Sequence, residues 1–208
     1  MTGPESTTRI DLNADVGEAS TSAASKDEGA VFACVSSVNI ACGGHAGNEV
    51  SMRHAVRLAA RLGLAVGAHP SYPDRAGFGR SSLAIEPESL RTAITDQLVA
   101  LASIARDEGV TLVHCKPHGA LYHDASSDGA VAEAIRLACH DLDPLIRLVA
   151  QAGSPAATWW IGRGASVTRE AFADRAYRSD GSLVPRSESG SQISDPAVAA
   201  EQAVSITM

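Results

Sequence analysis

Four ionisable side chains in this sequence follow short apolar runs, at positions where parallel strands would present reactive groups. They are Asp15, His45, His69 and His118. A carboxylate and several imidazoles suit a divalent metal that activates water or polarises a carbonyl. The same groups without a metal suit general acid–base catalysis, in which Lys116 would stabilise an oxyanion or a phosphate. The residue types alone leave both chemistries open.

If a metal binds, the expected ligands are Asp15, His45 and His69, because they offer one hard oxygen and two imidazoles after three consecutive strands. Lys116 argues against a metal, since its ammonium would repel a nearby cation. Asp15, Lys116 and His118 are the expected catalytic residues. The residues expected to contact a substrate are Asn13, Asn39, Gly43, Gly44 and Arg80.

Two of the predicted strands carry polar residues on one face. In "RIDLNAD" (9–15) every second residue after the arginine is apolar, and His114, Lys116 and His118 have the same spacing of two. A strand covered by helices is normally apolar on both faces, and an unpaired buried ionisable group costs several kcal/mol. A barrel lumen or a wet cleft on the polar face would remove this conflict.

The elements that would position these residues alternate along the chain. Strands are expected at 9–15, 35–42, 64–70, 111–117, 146–152 and 166–172, and helices at 25–34, 48–62, 87–108, 129–140, 154–161 and 196–206. This alternation predicts parallel strands joined by right-handed crossovers. It fits both a doubly wound sheet and a barrel. We expect one domain over 9–208, preceded by a disordered leader at 1–8.

The composition excludes several classes of protein. The net charge is −7 and no basic stretch could follow a phosphate backbone, which argues against nucleic-acid binding. No apolar run reaches the length of a membrane span, and the N-terminus lacks a signal-peptide pattern. The four cysteines form no C-x-x-C pair, so we expect buried, reduced thiols and a cytoplasmic location.

Five stretches of the sequence together closely resemble the LamB/YcsF family. They are "DLNADVGE" (11–18), "VSSVNIACGGHAG" (35–47), "VGAHPSYPDRAGFGR" (66–80), "KPHGALY" (116–122) and "EAFADRAYRSDGSLVPRS" (170–187). The resemblance covers nearly the whole chain in the right order. It implies an irregular α/β barrel of the glycoside hydrolase/deacetylase type. That barrel normally has seven strands, and here it would lack the last strand and helix, so that the domain at 9–208 is C-terminally truncated relative to the family.

The family includes one component of the bacterial ATP-dependent 5-oxoprolinase, so the resemblance also implies an activity. This activity opens the lactam of 5-oxo-L-proline to L-glutamate, with ATP hydrolysed by a complex that includes the 5-oxoprolinase subunits B and C. The implied cofactors are ATP, through the complex, and a divalent metal. Phosphorylation would make the lactam oxygen a leaving group, water would attack with Asp15 or a histidine as base, and Lys116 would supply the cation.

Two other functions remain open at this point. The barrel kinship and the Asp–His–His set also suit a stand-alone metal-dependent amidase or deacetylase. A non-catalytic binding role would follow if truncation removed activity.

Two departures from the family pattern lead to expectations about shape. Gly44 stands where the family usually has a bulky aromatic residue, which is expected to loosen the pocket while Gly43 and Gly44 let the backbone approach it. The missing last strand predicts an open seam between the sixth and first strands, where a second copy of the chain could pair as a homo-oligomer.

Overall fold

The computed structural model describes residues 10–18 and 28–207. Within these ranges six strands form one sheet: β1 (Asn13–Val16), β2 (Ser37–Ala41), β3 (Ala65–His69), β4 (Leu112–Cys115), β5 (Arg147–Gln151) and β6 (Val167–Glu170). Every neighbouring pair is parallel, and the order in the sheet is the order in the chain. The six predicted strands are therefore confirmed. The predicted leader lies outside the described residues.

The helices lie between and after the strands. They are α1 (Glu49–Leu62), α2 (Pro87–Asp107), α3 (Gly119–Asp124), α4 (Gly129–Leu142), α5 (Pro155–Gly162) and α6 (Pro196–Thr207). The predicted helix at 25–34 is partly outside the described residues, and 28–32 is helical. The short α3 was not predicted, because its apolar residues are too few to show a helical period.

Local signals in the sequence explain where α1 begins and ends. The Asn48 side chain accepts a hydrogen bond from the backbone N–H of Ser51, and the Ser51 hydroxyl accepts one from the N–H of Asn48. This reciprocal pair satisfies two of the donors that a helix N-terminus leaves free. The helix ends at Gly63, whose φ of 68° is in the left-handed region that glycine adopts without strain.

The sheet order decides between a doubly wound sheet and a barrel. A doubly wound sheet reverses its strand order at a switch point, whereas the strands here follow one another from β1 to β6. Two distances show that the sheet is also curled. The Lys116 ammonium, which follows β4, lies 3.2 Å from Asp15 on β1 and 3.2 Å from Glu170 on β6. The fold is thus an α/β fold in which six parallel strands form a curled half-barrel.

The two edge strands approach each other at the seam. Within 10–18 and 28–207, no backbone ladder joins β6 to β1. The Asn13 side-chain nitrogen instead lies 3.5 Å from a carboxylate oxygen of Glu170. Side chains therefore bridge the gap, and the pairing of a second copy at this seam stays a prediction.

The inner face of the half-barrel is polar. Asp15, Asn39, Gly67 and His114 lie side by side across the first four strands. A Cβ atom at Gly67 would overlap the His114 ring, so this strand position has room for glycine only. Glycine in β3 therefore makes room for the His114 ring directly beside the strand.

Three of the four cysteines are buried. Cys42, Cys115 and Cys139 are buried free thiols as predicted, but Cys34 is exposed, because it follows the last helical turn at 28–32 and faces away from the core. No helix in the described ranges is long and apolar enough to cross a membrane.

We predict that Gly67→Ala lowers the free energy of unfolding by about 1–3 kcal/mol, because the new methyl group displaces the His114 ring. Urea denaturation measures the change. Gly162→Ala is the matched control, since a Cβ atom there meets nothing within 4 Å. In a His114→Ala background the loss caused by Gly67→Ala should largely disappear. An equal loss in both backgrounds would show that the ring is not the cause.

Candidate active site

The structure brings the four predicted ionisable residues together at the carboxyl ends of β1 to β4. His69 Nε2 lies 3.3 Å from a carboxylate oxygen of Asp15 and 3.0 Å from His118 Nδ1. The ring of His45, from the loop after β2, stacks on the ring of His118 with 3.7 Å between centroids. These residues are far apart in the sequence and meet because parallel strands deliver their carboxyl ends to one rim.

Backbone carbonyls orient two of these imidazoles. His69 Nδ1 lies 2.6 Å from the carbonyl oxygen of Lys116, and His118 Nε2 lies 3.0 Å from that of Phe78. A carbonyl only accepts, so each of these nitrogens carries a proton and each neutral ring presents its lone pair on the other nitrogen. The two lone pairs face each other across 3.0 Å. A proton or a metal ion between them would relieve their repulsion.

Glu18 completes this cluster. Its carboxylate lies 2.9 Å from His45 Nε2, 3.6 Å from His118 Nδ1 and 4.0 Å from His69 Nε2. The turn that presents Glu18 is held by Glu28, whose carboxylate accepts hydrogen bonds from the backbone N–H groups of Gly17 and Glu18. One potential ligand atom from each of the four residues lies within 4.8 Å of the others. We call Glu18, His45, His69 and His118 the histidine cluster.

A strained loop closes over the histidine cluster. Phe78 has a φ of 55°, a conformation that a bulky residue adopts only at some cost, and its ring makes edge contacts with His45 and His118. A Cβ atom at Gly79 would lie 3.0 Å from His45 Cβ, so a side chain there would crowd the cluster. Arg75 donates to the carbonyls of Gly43 and Gly47, which fixes the loop that carries His45.

A second group of charges lies beside the histidine cluster. The Lys116 ammonium is buried between Asp15 and Glu170, at 3.2 Å from each carboxylate, and donates to Asn13 Oδ1 at 3.3 Å. One Glu170 oxygen, Oε1, is buried and has no hydrogen-bond partner among the described residues. We call Asp15, Lys116 and Glu170 the ionic triad.

A buried amide aligns the ionic triad with the strands beneath it. The side-chain nitrogen of Asn39 donates to Asn13 at 2.7 Å and to Asp15 at 2.8 Å. Its oxygen lies 2.7 Å from His114 Nε2, which therefore donates the hydrogen bond. Burial lowers the pKa of His114 to about 4, so the ring is neutral near pH 7 and acts as a fixed donor.

The charges of the ionic triad stabilise one another. Burial alone would raise the pKa of Asp15, but His69, Lys116 and the hydrogen bond from Asn39 outweigh it and hold that pKa well below its usual value. Burial likewise would lower the pKa of Lys116, but Asp15 and Glu170 outweigh it and raise that pKa. Asp15 is therefore an anion and Lys116 a cation across the physiological range.

The histidine cluster has the opposite tendency. Burial, together with the charges of His69 and His45, lowers the pKa of His118 to about 4. Burial also lowers the pKa of His45, and its hydrogen bond to Glu18 offsets that only in part. Burial would raise the pKa of Glu18, but His45 and the other imidazoles outweigh it and lower that pKa. A carboxylate thus faces two imidazoles, those of His45 and His118, whose protonation burial disfavours. Neutral imidazoles and a carboxylate are a donor set that divalent transition metals prefer.

Both groups border one cavity of about 1290 Å³. Asp15, Glu18, His69, Lys116 and His118 line its inner end, and the segment 180–187 lines its outer end. Lys116 therefore combines burial with access to a cavity, which is typical of catalytic cations.

The residues predicted to contact a substrate lie at different distances from this cavity. Arg80 is on its wall and exposed, with its guanidinium over the Phe78 ring. Asn13 bonds to Lys116, whereas Asn39 is fully buried beneath the triad. Gly43 lies in the loop that Arg75 holds.

Gly44 does not loosen the pocket. A Cβ atom there would overlap the Gln97 side chain and the Ser71 hydroxyl. The Gln97 amide is itself held in place, because its oxygen accepts a hydrogen bond from the backbone N–H of Ser71 and its nitrogen donates one to the backbone carbonyl of Ser71. The space that an aromatic residue would need is therefore filled by Ser71 and Gln97.

Sequence reasoning did not assign Glu18 or Glu170 to the site. Glu18 closely follows the predicted strand at 9–15, and Glu170 lies near the end of the predicted strand at 166–172. Their closeness to the carboxyl ends of strands is the signal that could have found them. Their roles depend on contacts that the sequence does not display: Glu28 holds the turn of Glu18, and the curl of the sheet brings Glu170 to Lys116.

Comparison with known proteins gives consistent matches over nearly the whole chain. The profile of the LamB/YcsF family matches residues 10–208. A curated relative from Methylococcus capsulatus, named as the A subunit of 5-oxoprolinase, is 47% identical over 195 residues, which cover 94% of this chain and 75% of the relative. A relative of the same name from Geobacillus kaustophilus is 45% identical over 186 residues, which cover 89% of this chain and 72% of the relative.

A solved structure matches the fold. The crystal structure of a lactam utilization protein from Thermus thermophilus has a TM-score of 0.89 and 43% sequence identity, and the match covers 96% of this chain and 81% of that chain.

We predict that His114 makes stability depend on pH. Its pKa is about 4 in the folded protein and 6.5 in a model peptide, so between these values the unfolded chain binds a proton that the folded chain does not. The contribution of His114 to the free energy of unfolding is therefore complete above pH 6.5. It is lost as the pH falls toward 4, by up to about 1.4 kcal/mol per pH unit. His114→Gln should flatten the slope measured by urea denaturation from pH 4.5 to 6.5. Above pH 7 the two slopes should coincide. Equal slopes below pH 6.5 would contradict the prediction.

Proposed function

The chain belongs to the LamB/YcsF family, and from that premise we propose that it acts as the A subunit of an ATP-dependent 5-oxoprolinase. The reaction opens the lactam of 5-oxo-L-proline to L-glutamate, with ATP hydrolysed in a complex with subunits B and C. The names of the relatives support the reaction class. The observation that carries the proposal is the ionic triad, in which Lys116 borders the cavity while two carboxylates keep it charged.

The triad suits the charge that develops when an amide is attacked. A lactam is unreactive because its nitrogen donates electron density to the carbonyl, so water adds only if the carbonyl oxygen is activated. A buried ammonium facing that oxygen stabilises the developing negative charge at little reorganisation cost. Asp15 and Glu170 hold Lys116 in place, and Asn13 fixes its direction through the 3.3 Å hydrogen bond.

ATP supplies the remaining activation. Transfer of the γ-phosphoryl group to the lactam oxygen releases ADP and makes the ring carbon electrophilic. Water then adds to that carbon and loses a proton, the ring C–N bond breaks as the nitrogen gains one, and a second water releases phosphate from the resulting acyl phosphate. Asp15 and His118 both have lowered pKa values and are weak bases, so either would relay the proton of the attacking water to the more basic ring nitrogen rather than retain it.

The histidine cluster fits a divalent metal. Two rings already donate their outer N–H to backbone carbonyls, which is how proteins orient metal-binding imidazoles. Glu18, His45, His69 and His118 would hold the ion, and Asp15 is close enough to His69 to join them. When bound, the ion would supply Lewis-acid polarisation of an amide carbonyl.

The same cluster favours one alternative, a stand-alone metal-dependent amidase or deacetylase. Such an enzyme would need the metal and the cavity but neither ATP nor other subunits. Glutamate release that requires ATP and the partner subunits separates the first proposal from this one.

We predict that the purified chain binds a divalent transition metal through the histidine cluster. Elemental analysis should find metal in the wild type and much less in His69→Ala and Glu18→Gln, because each loses a ligand. His54→Ala is the control, since His54 is exposed on α1. Chelation, followed by restoring the magnesium that the ATP-hydrolysing partners need, should abolish glutamate release. Unchanged release would leave the histidines as acid–base groups only.

We predict that Lys116→Met lowers glutamate release by the reconstituted complex at least about 100-fold, because the oxyanion loses its cation. The measurement is glutamate formed from 5-oxo-L-proline with ATP and subunits B and C present. Arg57→Met removes a positive charge from the exposed face of α1 and should leave the rate unchanged. Activity of Lys116→Met close to that of the wild type would refute the proposed role of the triad.

A further inference from the structure

The cavity is larger than a five-membered lactam requires. Its volume of about 1290 Å³ exceeds the roughly 300–1,000 Å³ that is usual for sites of small ligands. The ionic triad and the histidine cluster border the inner end, and the outer end is lined by Phe172 and Arg175, which follow β6, and by the segment 180–187. The outer end therefore has room for a group other than the lactam ring.

Arg175 is a buried cation at this outer end. It follows β6, lines the cavity and is only 5% exposed. Its guanidinium donates to the carbonyl oxygens of Ser191 at 3.2 Å and Val184 at 2.7 Å, which are neutral acceptors. Within the described ranges, no carboxylate lies within 4 Å of it. A buried charge without a counter-charge is costly, so the arrangement favours an anion in the cavity.

A second cation faces the same space. Arg186 is exposed on the cavity wall and forms no ion pair in the part of the chain that the structure describes. Burial, followed by the positive charge of Arg186, lowers the pKa of Arg175, so the two guanidinium groups repel each other. The same two arginines help to lower the pKa of His123, which also lines the cavity. Arg175 and Arg186 thus make the local charge positive, and the lowered pKa of His123 reflects burial together with that charge.

The nearby carboxylates do not neutralise this charge. Asp180 is on the cavity wall, but it accepts hydrogen bonds from the backbone and the hydroxyl of Ser182. Asp174 is exposed, and its attraction for Arg175 is weaker than the repulsion by Arg186.

We propose that Arg175 and Arg186 form a phosphate-binding subsite at the outer end of the cavity, which holds the phosphoryl group of a ligand whose other end lies near the ionic triad. The proposal rests on the proposed function in one respect, that a phosphorylated species takes part in the reaction. Two guanidinium groups match the two negative charges of a phosphate monoester and can each donate a pair of parallel hydrogen bonds to its oxygens. The source is either ATP or a phosphorylated lactam.

Calorimetric titration of the isolated chain with inorganic pyrophosphate tests the subsite. The wild type should bind pyrophosphate, and Arg186→Gln should weaken that binding at least tenfold. Arg178→Gln is the matched control, because it removes the same charge from the same region while Arg178 pairs with Glu188 away from the cavity lining. Its affinity should stay within twofold of the wild type. No binding by the wild type, or equal binding by Arg186→Gln, would overturn the proposal.

Two further titrations identify the source and separate this proposal from the proposed function. Displacement of pyrophosphate by ATP would identify a nucleotide as the source, and failure of ATP to displace it would identify a phosphorylated substrate. The carboxylate of 5-oxo-L-proline is another anion that these two arginines can bind. If Arg186→Gln weakens binding of 5-oxo-L-proline while pyrophosphate does not bind the wild type, the pair holds the substrate carboxylate and the subsite is refuted. Pyrophosphate binding without any glutamate release by the reconstituted complex would refute the proposed function but keep the subsite.

Discussion

The burial of the Lys116 ammonium between Asp15 and Glu170 is the interaction on which the rest of the site depends. It draws a carboxylate from β1 and another from β6 to one side chain that follows β4, between them in the sheet. The two edge strands share no backbone ladder in the described parts of the chain, so this ion pair and the Asn13–Glu170 contact span the seam instead. The curl that creates the cavity is therefore coupled to the charges that line it.

Such an arrangement is not the most stable way to close a sheet. Removing three charges from water costs several kcal/mol each, and well-packed apolar residues of similar size often stabilise a protein as much or more. The surrounding polar layer keeps the charges satisfied, with Asn39 bonded to Asp15 and His114 bonded to Asn39. Buried charges that cost free energy and border a cavity are typical of a functional site rather than of a core that stabilises the fold.

Much of the fold could be predicted because its signals are local. The order and approximate positions of the strands and of most helices follow from apolar runs, although β1 begins at Asn13 rather than at residue 9. The placement of Asp15, His69 and Lys116 follows from their positions at strand ends. Glu18 and Glu170 were missed because a turn held by Glu28 and the curl of the sheet decide their positions. Both depend on contacts between residues that are not neighbours in the chain, which a single sequence does not display.

The glycines show the same limit in another form. The departure from the family pattern at Gly44 predicts a looser pocket, yet Ser71 and Gln97, from the loop after β3 and from α2, fill that space. Gly67, by contrast, is typical of a weak point in a strand, yet it makes room for the His114 ring. In both cases the partner that decides the outcome lies on another element.

The most direct test of the central claim is to remove all charge from the ionic triad at once, with Asp15→Asn, Lys116→Met and Glu170→Gln in one protein. The free energy of unfolding at pH 7 and glutamate release by the reconstituted complex are measured on the same preparation. If the triad is placed for chemistry, the variant is at least as stable as the wild type and releases no glutamate above background. A variant that unfolds, or one that still releases glutamate at the wild-type rate, would contradict the account.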